Sequence, residues 1–274
     1  MAKPRGRRYR TAVTIPYFPL RNLELPFGQK IDIFGVLSAA GVFLGAWLAA
    51  KEAREYGKVD DKPLRDLVPW AVGFGLFGGH FMHIFGYHRE LLSGLTLPEQ
   101  LGLVLRFWDG LSSMGGVLGA LLGIFVFFRK EKIPLTPYLD ALALGTAPGW
   151  AVARLGCFLV HDHPGTLTTF PLAVDFPGGV RHDLGLYDMF VLLGITALLN
   201  TLKRFHPPTG TLMGLLAVCY CGPRFFLDFL RASDLAFVDR HSGLTAAQYI
   251  VPVLFGVGIW LLIRARRTSL TPKS

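Results

Sequence analysis

Arg154 stands inside an apolar run, GWAVARLGCFLVHDHPG over residues 149–165, whose end carries His161, Asp162 and His163. A guanidinium in a segment that sheds water is costly, about 2.5 kcal/mol or more on insertion scales. Three and four residues away stand Trp150, Ala151, Cys157 and Phe158, none of them acidic. Arg154 therefore needs a partner on another element or on a ligand. Five donors in a planar fork suit a phosphate. A second buried guanidinium is expected in PRFFLDFLR, where Arg224, Asp228 and Arg231 at i, i+4 and i+7 form one stripe of a helix. RHDLGLYD adds Arg181, His182, Asp183, Tyr187 and Asp188, and GGHFMHIFGYH adds His80, His83 and His88.

The histidines suit proton transfer, because a neutral imidazole with pKa near 6.5 takes a proton at cellular pH. His161 and His163 are the expected bases, with His182 beside them. Zinc would accept two imidazoles and the carboxylate of H-D-H, and His80 and His83 share a helix face. The spacing is not that of a tight ligand motif, so no metal and no cofactor are expected. Other readings stay open. Arg181 and Arg231 equally suit interfacial residues that snorkel to water, and Arg224 with Asp228 suits a structural ion pair. Gly115 and Gly116, after Ser112 and Ser113, would let backbone approach a ligand. GWAVARLG, GFGLFGG and MGGVLGALLG equally suit close helix contacts through small residues.

These residues must be carried by membrane helices. The chain has 274 residues, 51% hydrophobic and 17% charged, whereas a soluble domain carries about 25% charged residues. Apolar runs predict seven spans, near 31–50, 67–88, 110–128, 137–160, 184–202, 210–230 and 245–264. The fold class is thus an all-α polytopic membrane protein with a polar cavity open to the outer leaflet. Residues 98–109 read as a short amphipathic lead-in, and the GLSSMGG that follows is too glycine-rich for an ordinary helix start. The polar loop 161–183 is expected to fold over the outer mouth. Cys157, Cys219 and Cys221 form no disulfide framework and read as packing residues.

Loop charge sets the orientation. With the amino terminus outside, the internal segments hold 14 Lys and Arg residues and the outer loops 5, so the carboxyl terminus is cytoplasmic. The seven basic residues of 1–30 run against this scheme. The division expected is an extracytoplasmic segment 1–30, one seven-helix domain 31–264 and a basic cytoplasmic tail 265–274. The net charge of +9 then reflects cytoplasmic loops and anionic lipid rather than nucleic acid. In this topology four segments send ionisable groups to the outer side, and a shared cavity would reduce the cost of burying them.

At this point the chain resembles the prolipoprotein diacylglyceryl transferase family. FGVLSAAGVFLGAWLA, FGLFGGHF, GLSSMGGVLG, ARLGCFLVHDHPG, HDLGLYD, PRFFLDFLRASD and LTAAQ follow that family's block order over about residues 30–260. The most specific blocks are Arg154 to Gly165 and Arg224 to Asp234. The resemblance implies seven spans in a bacterial plasma membrane and a site open to the outer leaflet. It implies transfer of the diacylglyceryl group of phosphatidylglycerol to a prolipoprotein lipobox cysteine, with glycerol phosphate leaving. Arg154 and Arg224 would then hold the phosphate, Asp228 would orient Arg224, and Asp162, Gly165 and Tyr187 fall in matched blocks. The chain departs from the pattern at four places. Met114 replaces a histidine, Phe34 a tyrosine, Cys157 an asparagine and His80 an arginine. The base role would pass to His161, His163 or His182. The alternatives are an enzyme using the same lipid with another acceptor, with or without a metal, and a lipid-binding membrane protein without turnover.

Overall fold

A computed structural model of the chain describes residues 14–24, 26, 28–87, 89–106, 110–235, 240 and 242–270. Eight α-helices carry the fold: α1 Ile33–Glu55, α2 Lys62–Phe81, α3 Leu97–Val104, α4 Ser113–Lys130, α5 Leu139–Val160, α6 Leu184–Leu202, α7 Thr211–Leu227 and α8 Ala246–Leu270. With short flanking turns, all but α3 are long and apolar enough to cross a membrane: Ile33–Glu55, Lys62–Gly86, Ser113–Lys130, Thr136–Val160, Leu184–Phe205, Thr211–Leu230 and Ala246–Thr268. The chain is an all-α polytopic membrane protein, and the seven expected spans fall within a few residues of these. Large apolar side chains such as Phe43, Trp47, Phe77, Phe125, Val253 and Trp260 are exposed, as lipid-facing surfaces require.

Small residues decide which helices touch. α1 packs on α5 and α2 on α4. A Cβ on Gly149 would lie 2.4 Å from the Gly41 carbonyl oxygen, and one on Gly145 would lie 2.2 Å from that of Gly45. Backbones this close tolerate only glycine, the small-residue contact that drives helix association in lipid. Gly115 belongs to the same kind of seam, since its Cβ would meet the Gly78 carbonyl oxygen at 2.3 Å. Gly116 lies beside it, facing Gly75. The sequence-based ligand role for Gly115 thus gives way to packing between α2 and α4, whereas a Cβ on Gly116 would meet the Gly75 carbonyl oxygen at an ordinary contact distance of 3.7 Å. GLSSMGG also starts a helix after all: the Ser112 side chain accepts from the Gly115 N–H at 3.3 Å and caps α4. The short helix α3 sits where the amphipathic lead-in was expected, opened by a capping box of Thr96 and Glu99.

α6 bridges α5 and α7, and α7 packs on α8 around Leu192, Ile195, Leu212, Leu216 and Val251. Asp140, at the start of α5, accepts from the N–H groups of Gly210, Leu212 and Met213 at 2.8, 2.9 and 3.2 Å. That one carboxylate satisfies the first turn of α7 and fixes the register of the helix that carries Arg224. At the same end, Lys203 Nζ meets Glu52 Oε1 at 2.5 Å and ties α6 to α1.

At the other end the loop 161–183 is not irregular. β4 Pro164–Leu167, β5 Ala173–Phe176 and β6 Gly179–Asp183 join β1 Thr14–Pro16 in a sheet of order β1-β5-β6-β4, with β1 parallel to β5 and the other pairs antiparallel. A hairpin of β2 Asn22–Glu24 and β3 Lys30–Asp32 leads into α1, where Asp32 caps the helix. Residues 14–16 are therefore part of this cap, and the Leu20 N–H donates to the Leu159 carbonyl at the end of α5.

Candidate functional site

The core of the site is a buried carboxylate between two guanidiniums. Arg154 comes from α5, Asp188 from α6 and Arg224 from α7; their residues are 6%, 1% and 5% exposed. Arg224 Nη1 donates to Asp188 Oδ2 at 2.9 Å, and Arg154 Nε lies 3.4 Å from the same oxygen. Arg154 Nη2 donates to the Tyr220 hydroxyl at 3.2 Å, and among the described residues its Nη1 reaches only the Cys157 thiol, at 3.8 Å. Arg224 Nη2 pairs with Asp228 Oδ1 at 2.7 Å, and Thr245 donates to the other Asp228 oxygen. Arg154 and Arg224 thus meet at one carboxylate, and Asp228 pairs with Arg224. Arg154 Nε and Asp188 Oδ1 are buried without a hydrogen-bond partner among the described residues, so donor capacity remains beside the shared carboxylate.

Asp188 stands in the RHDLGLYD block without a role assigned from sequence, and Tyr220 and Thr245 are not among the sequence-predicted residues. Asp188 carried a legible signal, an acid in the first turns of an apolar span, which must face a cation. Tyr220 and Thr245 carried none, because a hydroxyl in an apolar helix is common.

The histidines divide. His161 ends α5 in a left-handed conformation (φ 52°, ψ 45°), and its side chain is fully buried. Its Nδ1 lies 2.8 Å from Asp183 Oδ2, while Asp183 Oδ1 accepts from the Leu186 N–H and caps α6. Tyr17 stacks on the imidazole at 4.9 Å, and Phe158 and Phe176 meet it edge-on at 5.3 and 5.4 Å. This aromatic enclosure makes His161 a pin between α5, α6 and the sheet. It does not give the ring access to a substrate. His163 is partly exposed; its Nδ1 bonds Asp162 Oδ1, and both side chains approach Cys157, which touches Arg154. Asp162 also lines an open cleft of about 310 Å³ with Arg21, Asn22, Asp32, Phe34 and Val160.

His182 Nδ1 lies 2.9 Å from the Tyr187 hydroxyl, with Phe170 against both rings. Burial lowers its pKa below the ordinary 6.5. Gly165 fits only without a side chain, since a Cβ would lie 2.7 Å from that of His182 and 2.8 Å from the Leu230 carbonyl oxygen. Arg181 donates to the Gly165 carbonyl at 3.1 Å and forms a two-pronged pair with Asp234, so it clamps the cap onto the segment after α7. Arg231 pairs by its backbone with Gly165, and its Nε lies 3.8 Å from Asp228. Neither Arg181 nor Arg231 is a simple snorkelling residue. His80 is buried, its ring nitrogens 3.1 and 3.2 Å from the carbonyls of Gly110 and Leu103. There it steadies the connection into α4. His83 packs against Gly110, and His88 lies outside the described residues.

A sequence model of the family described as prolipoprotein diacylglyceryl transferase matches residues 23–264. The phosphatidylglycerol–prolipoprotein diacylglyceryl transferase of Nitratidesulfovibrio vulgaris is 30% identical over 247 residues, 87% of this chain and 91% of that protein. The enzyme of the same name from Rhizobium meliloti is 30% identical over 254 residues, 86% of this chain and 88% of its own length. One from Cereibacter sphaeroides is 26% identical, covering 92% of this chain and 99% of its own. The matched region holds α1 to α7 and all but the end of α8, together with Arg154, Asp188 and Arg224. The chain belongs to the prolipoprotein diacylglyceryl transferase family.

Proposed function

We propose that this chain transfers the diacylglyceryl group of phosphatidylglycerol to the lipobox cysteine thiol of a prolipoprotein, releasing glycerol phosphate. The observation that carries the reading is the convergence of Arg154 and Arg224 on Asp188 from separate helices, at the end of the bundle roofed by the sheet. The thiolate sulfur attacks the glyceryl carbon that bears the phosphate ester. The carbon–oxygen bond breaks, and its electron pair leaves on the phosphate oxygen. Negative charge grows on that oxygen, where Arg154 Nε and Nη1 supply donors. A preorganised donor of this kind contributes about 3–4 kcal/mol to the transition state. Asp188 and Asp228 hold the two guanidiniums in position, and the His163–Asp162 pair acts on the acceptor thiol. His182, Tyr187 and Gly165 shape the mouth, with Arg231 beside Asp228.

The excess of 14 over 5 basic residues supports a cytoplasmic carboxyl terminus and a mouth on the outer face of a bacterial plasma membrane. The test is transfer of labelled diacylglycerol from phosphatidylglycerol vesicles to a lipobox peptide. Wild-type protein labels the cysteine peptide and not its serine analogue, and Arg154→Gln and Arg224→Gln each lower the rate at least about 100-fold. Full labelling by both variants ends the assignment of the arginines.

A further inference from the structure

Cys157, Asp162 and His163 each offer a metal-ligand atom, and the three atoms lie within 4.8 Å of one another. We propose that they form a divalent metal site of the zinc class, with three protein ligands and a fourth position open to the acceptor thiol. The inference rests on the reading of the acceptor as a thiol.

The donor set fits the ion. Zinc binds thiolate at about 2.3 Å, imidazole at about 2.0 Å and carboxylate at about 2.0–2.2 Å. A tetrahedral ion needs donor atoms about 3.3–3.6 Å apart, and the three here lie within 4.8 Å of one another. Thiolate and imidazole select zinc over magnesium or calcium, which prefer oxygen. Three protein ligands with one exchangeable position is the arrangement of catalytic rather than structural zinc. Access is present, because Asp162 opens on the cleft lined by Arg21, Asn22 and Asp32. Cys157 is buried, and its polar contact among the described residues is the long one to Arg154 Nη1, at 3.8 Å. The sequence hides the set: His163 and Asp162 are adjacent, and Cys157 lies inside the helix that precedes them.

The site also lies where the reaction needs it. Cys157 touches Arg154, so a thiolate bound to the ion would stand beside the guanidinium that receives the leaving phosphate. A free cysteine has a pKa near 8.5 and is mostly protonated at neutral pH. On metal binding, Cys157 releases its proton to solvent. A water in the fourth position would lose one proton to solvent, and the resulting hydroxide would take the acceptor's thiol proton and leave as water, so that the acceptor sulfur takes its place. That sulfur then attacks the glyceryl carbon, glycerol phosphate departs with the electron pair, and the neutral thioether leaves the metal. His163 and Asp162 would thus act on the thiol through the ion.

The experiment uses full-length protein in detergent, stripped with chelator and reloaded with zinc or cobalt(II). The expected result is one ion per chain. Cobalt should give tetrahedral d–d bands and a thiolate-to-cobalt charge-transfer band. Cys157→Ser should lose the charge-transfer band, and His163→Ala or Asp162→Ala should lose stoichiometric binding, with thermal unfolding confirming that each variant folds. A cysteine lipobox peptide should strengthen the charge-transfer band, and its serine analogue should not. Substoichiometric metal, a charge-transfer band that survives in Cys157→Ser, or equal responses to the two peptides overturns the proposal. Full transfer activity in metal-free protein overturns it too and leaves the proposed function standing. Stoichiometric metal with the expected spectra but no diacylglyceryl transfer upholds the site and removes the proposed reaction.

Discussion

Replacing Asp188 by asparagine keeps the side chain's shape and removes the charge between Arg154 and Arg224. The contacts are 3.4 Å to Arg154 Nε and 2.9 Å to Arg224 Nη1. At an effective dielectric constant of about 20, these correspond to gross attractions of about 5 and 6 kcal/mol. Desolvation of three buried ions offsets most of that in the intact protein, but deleting one partner leaves the others uncompensated, at about 3–5 kcal/mol. Arg154 suffers more, because its remaining partners are the Tyr220 hydroxyl and the Cys157 thiol, whereas Arg224 keeps Asp228. Asp188→Asn should therefore lower unfolding free energy in mixed micelles by about 3–5 kcal/mol. Adding Arg154→Gln should recover about 1–3 kcal/mol of the summed losses as coupling. Transfer by the folded variant should fall by about 100-fold or more, because the phosphate donors lose their anchor. Reversible unfolding of the two single variants and the double variant measures the coupling. Additivity within about 0.5 kcal/mol, or an Asp188→Asn variant as stable as wild type, would refute the shared-carboxylate reasoning.

His161→Ala should cost about 3 kcal/mol or more in stability, since it empties an aromatic box and leaves Asp183 unpaired, while the folded fraction keeps its transfer rate. His163→Ala should show the opposite pattern, near-normal thermal unfolding with transfer reduced at least about 100-fold. Gly149→Ala places a methyl group 2.4 Å from the Gly41 carbonyl oxygen and should destabilise by about 1–3 kcal/mol in the same unfolding assay. Arg181 holds the Asp234 carboxyl below its ordinary pKa. A depressed folded pKa means the pair's stabilisation is complete above the unfolded value near 3.9 and is lost as pH falls through the lower folded value. The wild type should accordingly resist unfolding better than Asp234→Asn at pH 6, and the difference should vanish under strongly acid conditions.

The spans were legible because lipid imposes a run of about 20 apolar residues on each, and polar turns interrupt those runs cleanly. The arginines were legible for the complementary reason: an intramembrane charge is too costly to be incidental. What was not legible is what long-range geometry decides. His161 and His163 are two residues apart and chemically identical, yet the left-handed turn at residue 161 sends one into Tyr17, Phe158 and Phe176 and leaves the other at the mouth. The four-stranded cap escaped because its strands are three to five residues long and one of them, β1, comes from a tail some 150 residues away in sequence. Gly115 has one composition whether it approaches a ligand or a helix, and the Gly78 carbonyl across the seam distinguishes the cases.

Burying Arg154 and Arg224 sets a conflict between folding and function, and Asp188 resolves it. Two isolated guanidiniums in a membrane bundle would oppose insertion, while two fully paired ones would have nothing to offer a phosphate. One carboxylate shared between them neutralises part of the charge through a single oxygen, and Arg154 Nε, 3.4 Å from that oxygen, has no hydrogen-bond partner among the described residues. Arg154 comes from the helix tied to α7 by Asp140 at the opposite end of the bundle. The spacing of the two guanidiniums is thus fixed at both ends, by a cap on one side and an ion pair on the other. Under the proposed function, a headgroup phosphate entering this arrangement would meet donors already oriented, which is the condition under which electrostatic stabilisation costs no reorganisation during the reaction.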